Sequence, residues 1–324
     1  MTNMRSSLLA AIAVGLLAVS MTSGVPEAPA APPSASGADF SGLVDVGGGH
    51  MLYLDCRGNG SPTVVLQSGF GNAADIWSVA DADPPAVQPG VATFTRVCSY
   101  DRPGSVITTS GPEPLPGRSD QVPMPRNPAD VVTELHDLLA AAQVPGPYVL
   151  VGHSLGGPLN LRYARTYPDQ VSAMVMVDSP LPLLRTLVTP QQWAEFANLQ
   201  LPAGISPPGY AAEQYDVGML FDEIVAAPPL RPVPLVVMTR GEPDVPDPLP
   251  PNISVDTLAA FDRAAPQAQA ELAASAAGAE HVTVPSTTHY IQTQRPDTVI
   301  AAIRRVSVGG PNDFCRRCSE HPTC

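Results

Sequence analysis

The chain has 324 residues, 44% of them hydrophobic, enough for a sizeable core in one large domain or one domain with an insertion. Lysine is absent, so all 17 basic residues are arginine, and chemistry that needs a lysine nucleophile or Schiff base is excluded. The formal net charge of −13 repels phosphate backbones, and no nucleic-acid partner is expected.

The chain opens with Arg5 and an apolar run from Leu8 to Val19, followed by a Pro/Ala-rich stretch containing Ala28-Pro29-Ala30. This reads as a secretory signal peptide over 1–30, so the mature protein is expected outside the cytoplasm, in the extracellular space or cell envelope. The run is shorter than the roughly 20 residues a membrane helix needs, and no stable span is expected after processing. Residues 31–39 read as a disordered linker.

From residue 40 the pattern changes. "SGLVDVGGGHMLYLDCRG" predicts two antiparallel strands around a Gly47-Gly48-Gly49 turn. "PTVVLQSGFGN" is a buried strand that ends in a glycine-rich loop, and "FTRVCSYDRPG" is a second strand and loop. "NPADVVTELHDLLAAA" predicts a helix, with Asn127 as its cap, Pro128 in its first turn and Val131, Leu135, Leu138, Leu139 and Ala142 on one face. The strand "PYVLVG" leads into a helix from Gly156 to about Tyr167, and the strand "SAMVMVDS" follows. Further strands are predicted in "VPLVVMTRG" and "HVTVP", with helices over Val255–Ala277 and in "RPDTVIAAIRRV". Wholly apolar strands alternating with amphipathic helices predict an α/β fold, a parallel sheet covered on both faces. The stretch 180–232 breaks this rhythm. Its two helical patterns among prolines read as an insertion over one end of the sheet.

Gly152-His153-Ser154-Leu155-Gly156 matches the G-x-S-x-G turn that presents a nucleophilic serine between a strand and a helix. The glycines let neighbouring backbone come close, and the helix N-terminus favours a developing anion. A serine hydroxyl needs a base, and His289, in the polar loop after the last strand, stands where that base should lie. His281, the rival, opens that strand and should be separated from the catalytic end. For the acid that orients the imidazole, "VVMTRGEPDVPDP" offers Asp244 first, with Glu242 and Asp247 beside it. Asp178, at the end of "AMVMV", is a different kind of rival. Oxyanion donors are expected at the backbone N–H of Leu155, after the nucleophile, and of Phe70, in the Gly69-Phe70-Gly71 loop.

The ordered set "LQSGFGNAADIW", "VCSYDRPG", "VGHSLGG", "VVMTRGEPD" and "STTHYIQTQRPD" resembles the α/β-hydrolase superfamily, over about residues 40–306, and is most similar to secreted, esterase-like members. The resemblance implies a mostly parallel eight-stranded sheet with helices on both faces and a small helical cap, which fits the insertion at 180–232. It assigns Ser154 as nucleophile, Asp244 as acid, His289 as base, and Phe70 and Leu155 as oxyanion donors. Ser68 departs from the pattern, since many members carry histidine before the glycine. In the family's strand order the second and fourth strands are neighbours, which implies a disulfide between Cys56 and Cys98.

Residues 307–324 form a tail in which Cys315, Cys318, Cys324 and His321 make up a zinc-like donor set. Without a fold organised around them, a tail disulfide plus one free or intermolecular cysteine is the expected reading, and no metal or other cofactor is implied. The sequon Asn252-Ile253-Ser254 reads as a chance match. The expected function is a serine hydrolase, a carboxylesterase acting on small-molecule acyl esters. An aminopeptidase of the same fold is the alternative, with Glu195, Glu213 or Glu223 as candidate amine-binding acids whose plainer reading is solvated helix faces. A catalytically silent binding protein is the competing class.

Overall fold

The computed structural model of the chain describes residues 37–81, 85–202, 204–245 and 249–308, which fall in one compact unit. The signal peptide, most of the linker and the cysteine-bearing tail lie outside the described residues. Eight strands form the main sheet: β1 (Phe40–Asp45), β2 (Met51–Arg57), β3 (Thr63–Gln67), β4 (Val97–Tyr100), β5 (Tyr148–His153), β6 (Val171–Val177), β7 (Leu235–Arg240) and β8 (Glu280–Val284). Their order is β1-β2-β4-β3-β5-β6-β7-β8. The β1–β2 and β2–β4 pairs are antiparallel, and every later neighbour is parallel.

The central strands are apolar throughout because both of their faces are covered. Val65, Leu150, Met174, Met176, Leu235 and Val237 join one core cluster. Their chain neighbours Val64, Leu66, Val149, Val151, Ala173, Val175, Val236 and Met238 join the other. This is the period of two of a pleated strand, with a core on each side. On the first face lie α2 (Pro128–Ala141), α3 (Gly156–Thr166) and α7 (Val255–Ser275). On the second lie α1 (Val87–Ala92) and α9 (Pro296–Val308), which packs through Val299, Ala302, Ile303 and Val306. Truncating a fully buried residue such as Leu150 to alanine should cost about 2–5 kcal/mol.

Helix α2 shows how sequence becomes structure here. Asn127 Oδ1 accepts the Ala129 N–H at 2.9 Å, Pro128 occupies the first turn, and Val131, Val132, Leu135, Leu138 and Leu139 form the buried stripe. Between β1 and β2, Gly47, Gly48 and Gly49 all take positive φ. Asp45 Oδ1 accepts the N–H groups of Gly47 and Gly49, closing the predicted hairpin.

Cys56 and Cys98 are register partners on β2 and β4 and are joined by the disulfide the resemblance implies. Both are fully buried. The residues between β6 and β7 carry three short helices, α4 (Leu184–Leu187), α5 (Pro190–Ala197) and α6 (Val217–Ala226), and a small two-stranded pairing of Asn198–Leu199 with Tyr215–Asp216. A further short helix, α8 (Ile291–Gln294), lies between β8 and α9. Among the described residues no helix is long and apolar enough to cross a membrane.

Candidate active site

Because β3 and β5 through β8 run parallel, their carboxyl ends lie along one edge, and each feeds a loop that can carry chemistry. At the end of β5, Ser154 takes φ +50, a left-handed conformation that costs a serine about 1–3 kcal/mol and persists only where its surroundings enforce it. The enforcement is visible. The Ser154 N–H donates to Val177 O at 3.0 Å. A Cβ on Gly152 would lie 2.5 Å from the Gly156 carbonyl, and one on Gly156 would lie 2.2 Å from Gln67 O. Only glycine fits at either position, as the motif requires. Leu155, buried, stands at the N-cap of α3, beside the positive end of the helix.

His289 follows β8 in a loop bound to the one that follows β7. The Gly241 and Glu242 N–H groups both donate to Thr287 O, at 3.1 and 2.9 Å. The imidazole is about a quarter exposed, and its Nδ1 lies 2.6 Å from Asp178 Oδ2. An ionised carboxylate can only accept, so Nδ1 carries the proton and Nε2 is left as the basic nitrogen. Among the described residues, no hydrogen bond joins the Ser154 hydroxyl to His289. Such contacts often tighten only when substrate is bound.

The acid on the histidine is therefore Asp178, not Asp244. Asp178 ends β6 at φ +45, with its N–H on Met238 O at 2.8 Å, and this turn aims its buried carboxylate at the imidazole. Asp244 lies beyond the end of β7, where its backbone N–H approaches Asp262 Oδ1 at 3.4 Å. Glu242 is exposed, and Asp247 lies outside the described residues. The reason for the correction is Arg240. At the end of β7 its guanidinium pairs with Asp178 Oδ2 and with Asp262, so that strand end meets the histidine's carboxylate with a cation, while Asp244 contacts Asp262 through its backbone. Gln269 Nε2 adds a contact to Asp178 Oδ1 at 3.3 Å. Burial alone would raise the Asp178 pKa, but the hydrogen bonds and charges of His289 and Arg240 hold it well below the usual carboxylate range. The carboxylate thus stays ionised.

His153, inside the serine motif, has a role that sequence reasoning missed. Its Nε2 lies 2.9 Å from the His289 carbonyl oxygen, and the two rings are 4.6 Å apart. Burial, together with the nearby His289, pushes its pKa down to about 3. It is therefore neutral near pH 7 and donates from Nε2, which pins the backbone of the histidine loop. His281 behaves as expected of a strand residue, with Nε2 2.7 Å from Thr239 Oγ1.

The glycine-rich loop after β3 abuts the serine. A Cβ on Gly69 would lie 3.1 Å from Ser154 Cβ and 2.8 Å from His153 Nδ1. Ser68, in the place of a histidine, is fully buried. Its hydroxyl donates to Ala73 O at 3.1 Å and accepts from Trp77 Nε1 at 3.1 Å, so the local hydrogen bonding is complete without an imidazole. The Phe70 ring packs edge-on against Tyr215 of the insertion.

The three candidate amine-binding acids are engaged elsewhere. Glu213 is buried in an ion pair with Arg102, which corrects its reading as a solvated residue. Glu195 accepts from Ser254 and Thr257 at the start of α7, and Glu223 pairs with Arg162. Asn252 of the sequon donates its Nδ2 to Glu195 O at 2.7 Å.

Several known proteins share parts of this pattern. The chain is 33% identical to RutD of Yersinia enterocolitica, provisionally named a carbamate hydrolase, over 135 residues, 40% of this chain and 41% of that protein. It is 37% identical to an uncharacterised Schizosaccharomyces pombe protein over 93 residues, 29% of this chain and 15% of that protein. It thus matches less than half the length of either relative. Among solved structures, Est816, described as an N-acyl homoserine lactone degrading enzyme, superposes with a TM-score of 0.53 at 19% identity, covering 82% of this chain and 99% of that one. A thermophilic esterase of Thermogutta terrifontis superposes at 0.51 with 16% identity, covering 82% and 97%. These two likenesses concern the fold. The profile of the alpha/beta hydrolase family matches residues 64–302, which take in every strand from β4 to β8, the serine turn and the histidine loop. The chain belongs to the alpha/beta hydrolase family.

Proposed function

We propose that the protein is a serine hydrolase, a carboxylesterase that cleaves small to medium acyl esters through an acyl-enzyme. The observation that carries this reading is the 2.6 Å pair of His289 Nδ1 with Asp178 Oδ2, on the sheet edge that also presents Ser154 in a strained turn. In this reading Ser154 Oγ attacks the ester carbonyl while His289 Nε2 takes its proton. Asp178 stabilises the imidazolium, and His289 then returns the proton to the departing alkoxide. Water, activated by the same nitrogen, releases the acid. The Phe70 and Leu155 N–H groups would receive the oxyanion. The engagement of Glu195, Glu213 and Glu223 favours an ester over an aminopeptide substrate, because it leaves none of them as a free amine-binding acid. The buried Cys56–Cys98 bridge supports a secreted protein, the compartment suggested by residues 1–30.

Labelling with a fluorophosphonate tests the mechanism. Wild type should label stoichiometrically, and Ser154→Ala and His289→Ala should not. Absence of label on folded wild type would overturn the enzyme reading in favour of a silent binding protein. Nitrophenyl esters of increasing chain length, a carbamate, an acyl homoserine lactone and an aminoacyl amide, run side by side, then sort the substrate class. Turnover of the amide above the esters would replace the esterase reading.

A further inference from the structure

Arg102, in the loop after β4, and Glu213, in the insertion, form a buried pair whose side chains are 1% and 0% exposed. Burying two charges is justified only where they satisfy further groups, and here those groups belong to one short piece of backbone. Arg102 Nη1 donates to Ser68 O and Nη2 to Gly69 O, each at 2.7 Å. Glu213 Oε1 accepts the Gly71 N–H at 2.5 Å, and the two side chains meet through Nη2 to Oε1 at 2.8 Å and Nε to Oε2 at 3.1 Å.

Peptide planarity turns these contacts into a statement about the Phe70 N–H. In a trans peptide the C=O and N–H point in opposite directions. The Gly69 carbonyl and the Phe70 N–H belong to the same peptide, so drawing the carbonyl to Arg102 turns that N–H away from the guanidinium. The next N–H along, that of Gly71, is already taken by Glu213. Gly69 itself is the loop residue whose Cβ would lie 3.1 Å from Ser154 Cβ. The geometry points to Arg102 and Glu213 as positioning residues for the oxyanion site: together they fix the Gly69–Phe70 peptide so that the Phe70 N–H is the loop donor left for the substrate. This assignment rests on the serine-hydrolase reading. It adds that the insertion supplies part of the oxyanion machinery through Glu213. The insertion is anchored at the same place by the Glu213 N–H on Gly104 O and by the Gln214 carbonyl, which accepts from the Arg126 N–H.

Glu213→Gln alone strands a buried cation and can cost the fold, so the test uses Arg102→Met/Glu213→Gln, which removes both charges, with Arg102→Lys as the milder arm. The double variant should lose about 100-fold in kcat, the scale of one oxyanion donor, with KM within threefold and the acid limb of the pH–rate profile unmoved. Arg102→Lys keeps the charge but cannot fork to two carbonyls, and should fall in between. A purely structural role would lower thermal stability without this split. Crystal structures of wild type and the two variants form an arm independent of turnover, in which the Gly69–Phe70 peptide should reorient when the fork is lost. An unchanged peptide, or kcat within threefold of wild type, would overturn the assignment. Wild type that turns over no ester would instead overturn the esterase reading, and the peptide orientation would still decide the role of the pair.

Discussion

Asp178 Oδ2 is shared between His289 Nδ1 at 2.6 Å and the guanidinium of Arg240, and Arg240 in turn bridges to Asp262. The histidine's acid thus sits at the end of β6, one strand earlier than the loop that carries Asp244. This distinction is directly testable. Asp178→Asn should lower kcat by about 10⁴-fold with the fold retained, because the amide presents the wrong hydrogen-bonding partner to Nδ1. Asp244→Asn should leave ester turnover within about threefold. The reverse pattern would restore Asp244 as the acid.

His153 predicts how stability depends on pH. Its folded pKa is pushed down to about 3, from the ordinary value of 6.5. Between those values the unfolded chain binds the extra proton, so stability is full above about pH 6.5 and falls as the pH drops toward 3. Asp178, whose pKa is depressed, contributes stability that is present above about pH 4 and is lost only at lower pH. Within the range from pH 6.5 to 4 the histidine therefore titrates apart from Asp178, and the comparison with a variant lacking it separates its share from that of other groups. Denaturation of wild type and His153→Gln across it should show a steeper loss for wild type, by a few kcal/mol in total. Parallel curves would refute the account.

The Cys56–Cys98 bridge closes a separation of 42 residues and should contribute about 4 kcal/mol on the chain-entropy account. Cys56→Ser/Cys98→Ser should therefore lower the unfolding free energy by roughly that amount in urea titration. Without reductant, neither cysteine should react with a thiol reagent, even in denaturant. Two thiols released only on unfolding would show the bridge to be absent in solution.

Gly69 offers a separate probe of the crowding beside Ser154. Gly69→Ala would place a methyl group 2.8 Å from His153 Nδ1 and 3.1 Å from Ser154 Cβ, so one of these groups must move. Ester turnover should fall by at least tenfold, since misplacement by about 1 Å can cost 100-fold. Ser68→Ala, a residue further from the serine, should mainly cost stability, by about 1–2 kcal/mol, through the lost Trp77 and Ala73 bonds. Comparing kcat with the thermal midpoint of each variant separates the two effects.

Much of this was legible in the sequence because it is local. The Asn127 cap, the Gly47–Gly49 turn, the glycines around Ser154 and the position of His289 all follow from residues within a few places of one another. The choice between Asp178 and Asp244 does not. Each follows a buried strand and a turn, and what distinguishes them is a contact across the fold: Arg240 binds Asp178 and is itself held by Asp262 of α7. Glu213 was equally opaque, because its partner lies 111 residues earlier, and a carboxylate in a proline-rich excursion looks solvated until that partner is in place. His153 is hidden for the opposite reason: the serine motif accounts for its position, and its partner, the His289 carbonyl, lies 136 residues later.

The stem of the insertion has a practical consequence for remodelling this protein. Residues 210–216 touch the body through Tyr210 on Ser105, Glu213 on Arg102 and Gly71, and Tyr215 against Phe70. A chimera that swaps everything between 180 and 232 discards these contacts along with the helices, and its inactivity would reveal nothing about acyl-chain preference. Joining foreign sequence between α4 and Tyr210 instead keeps the native stem as a fixed splice point. Helix α5 can then be diversified without dismantling the backbone beside Ser154.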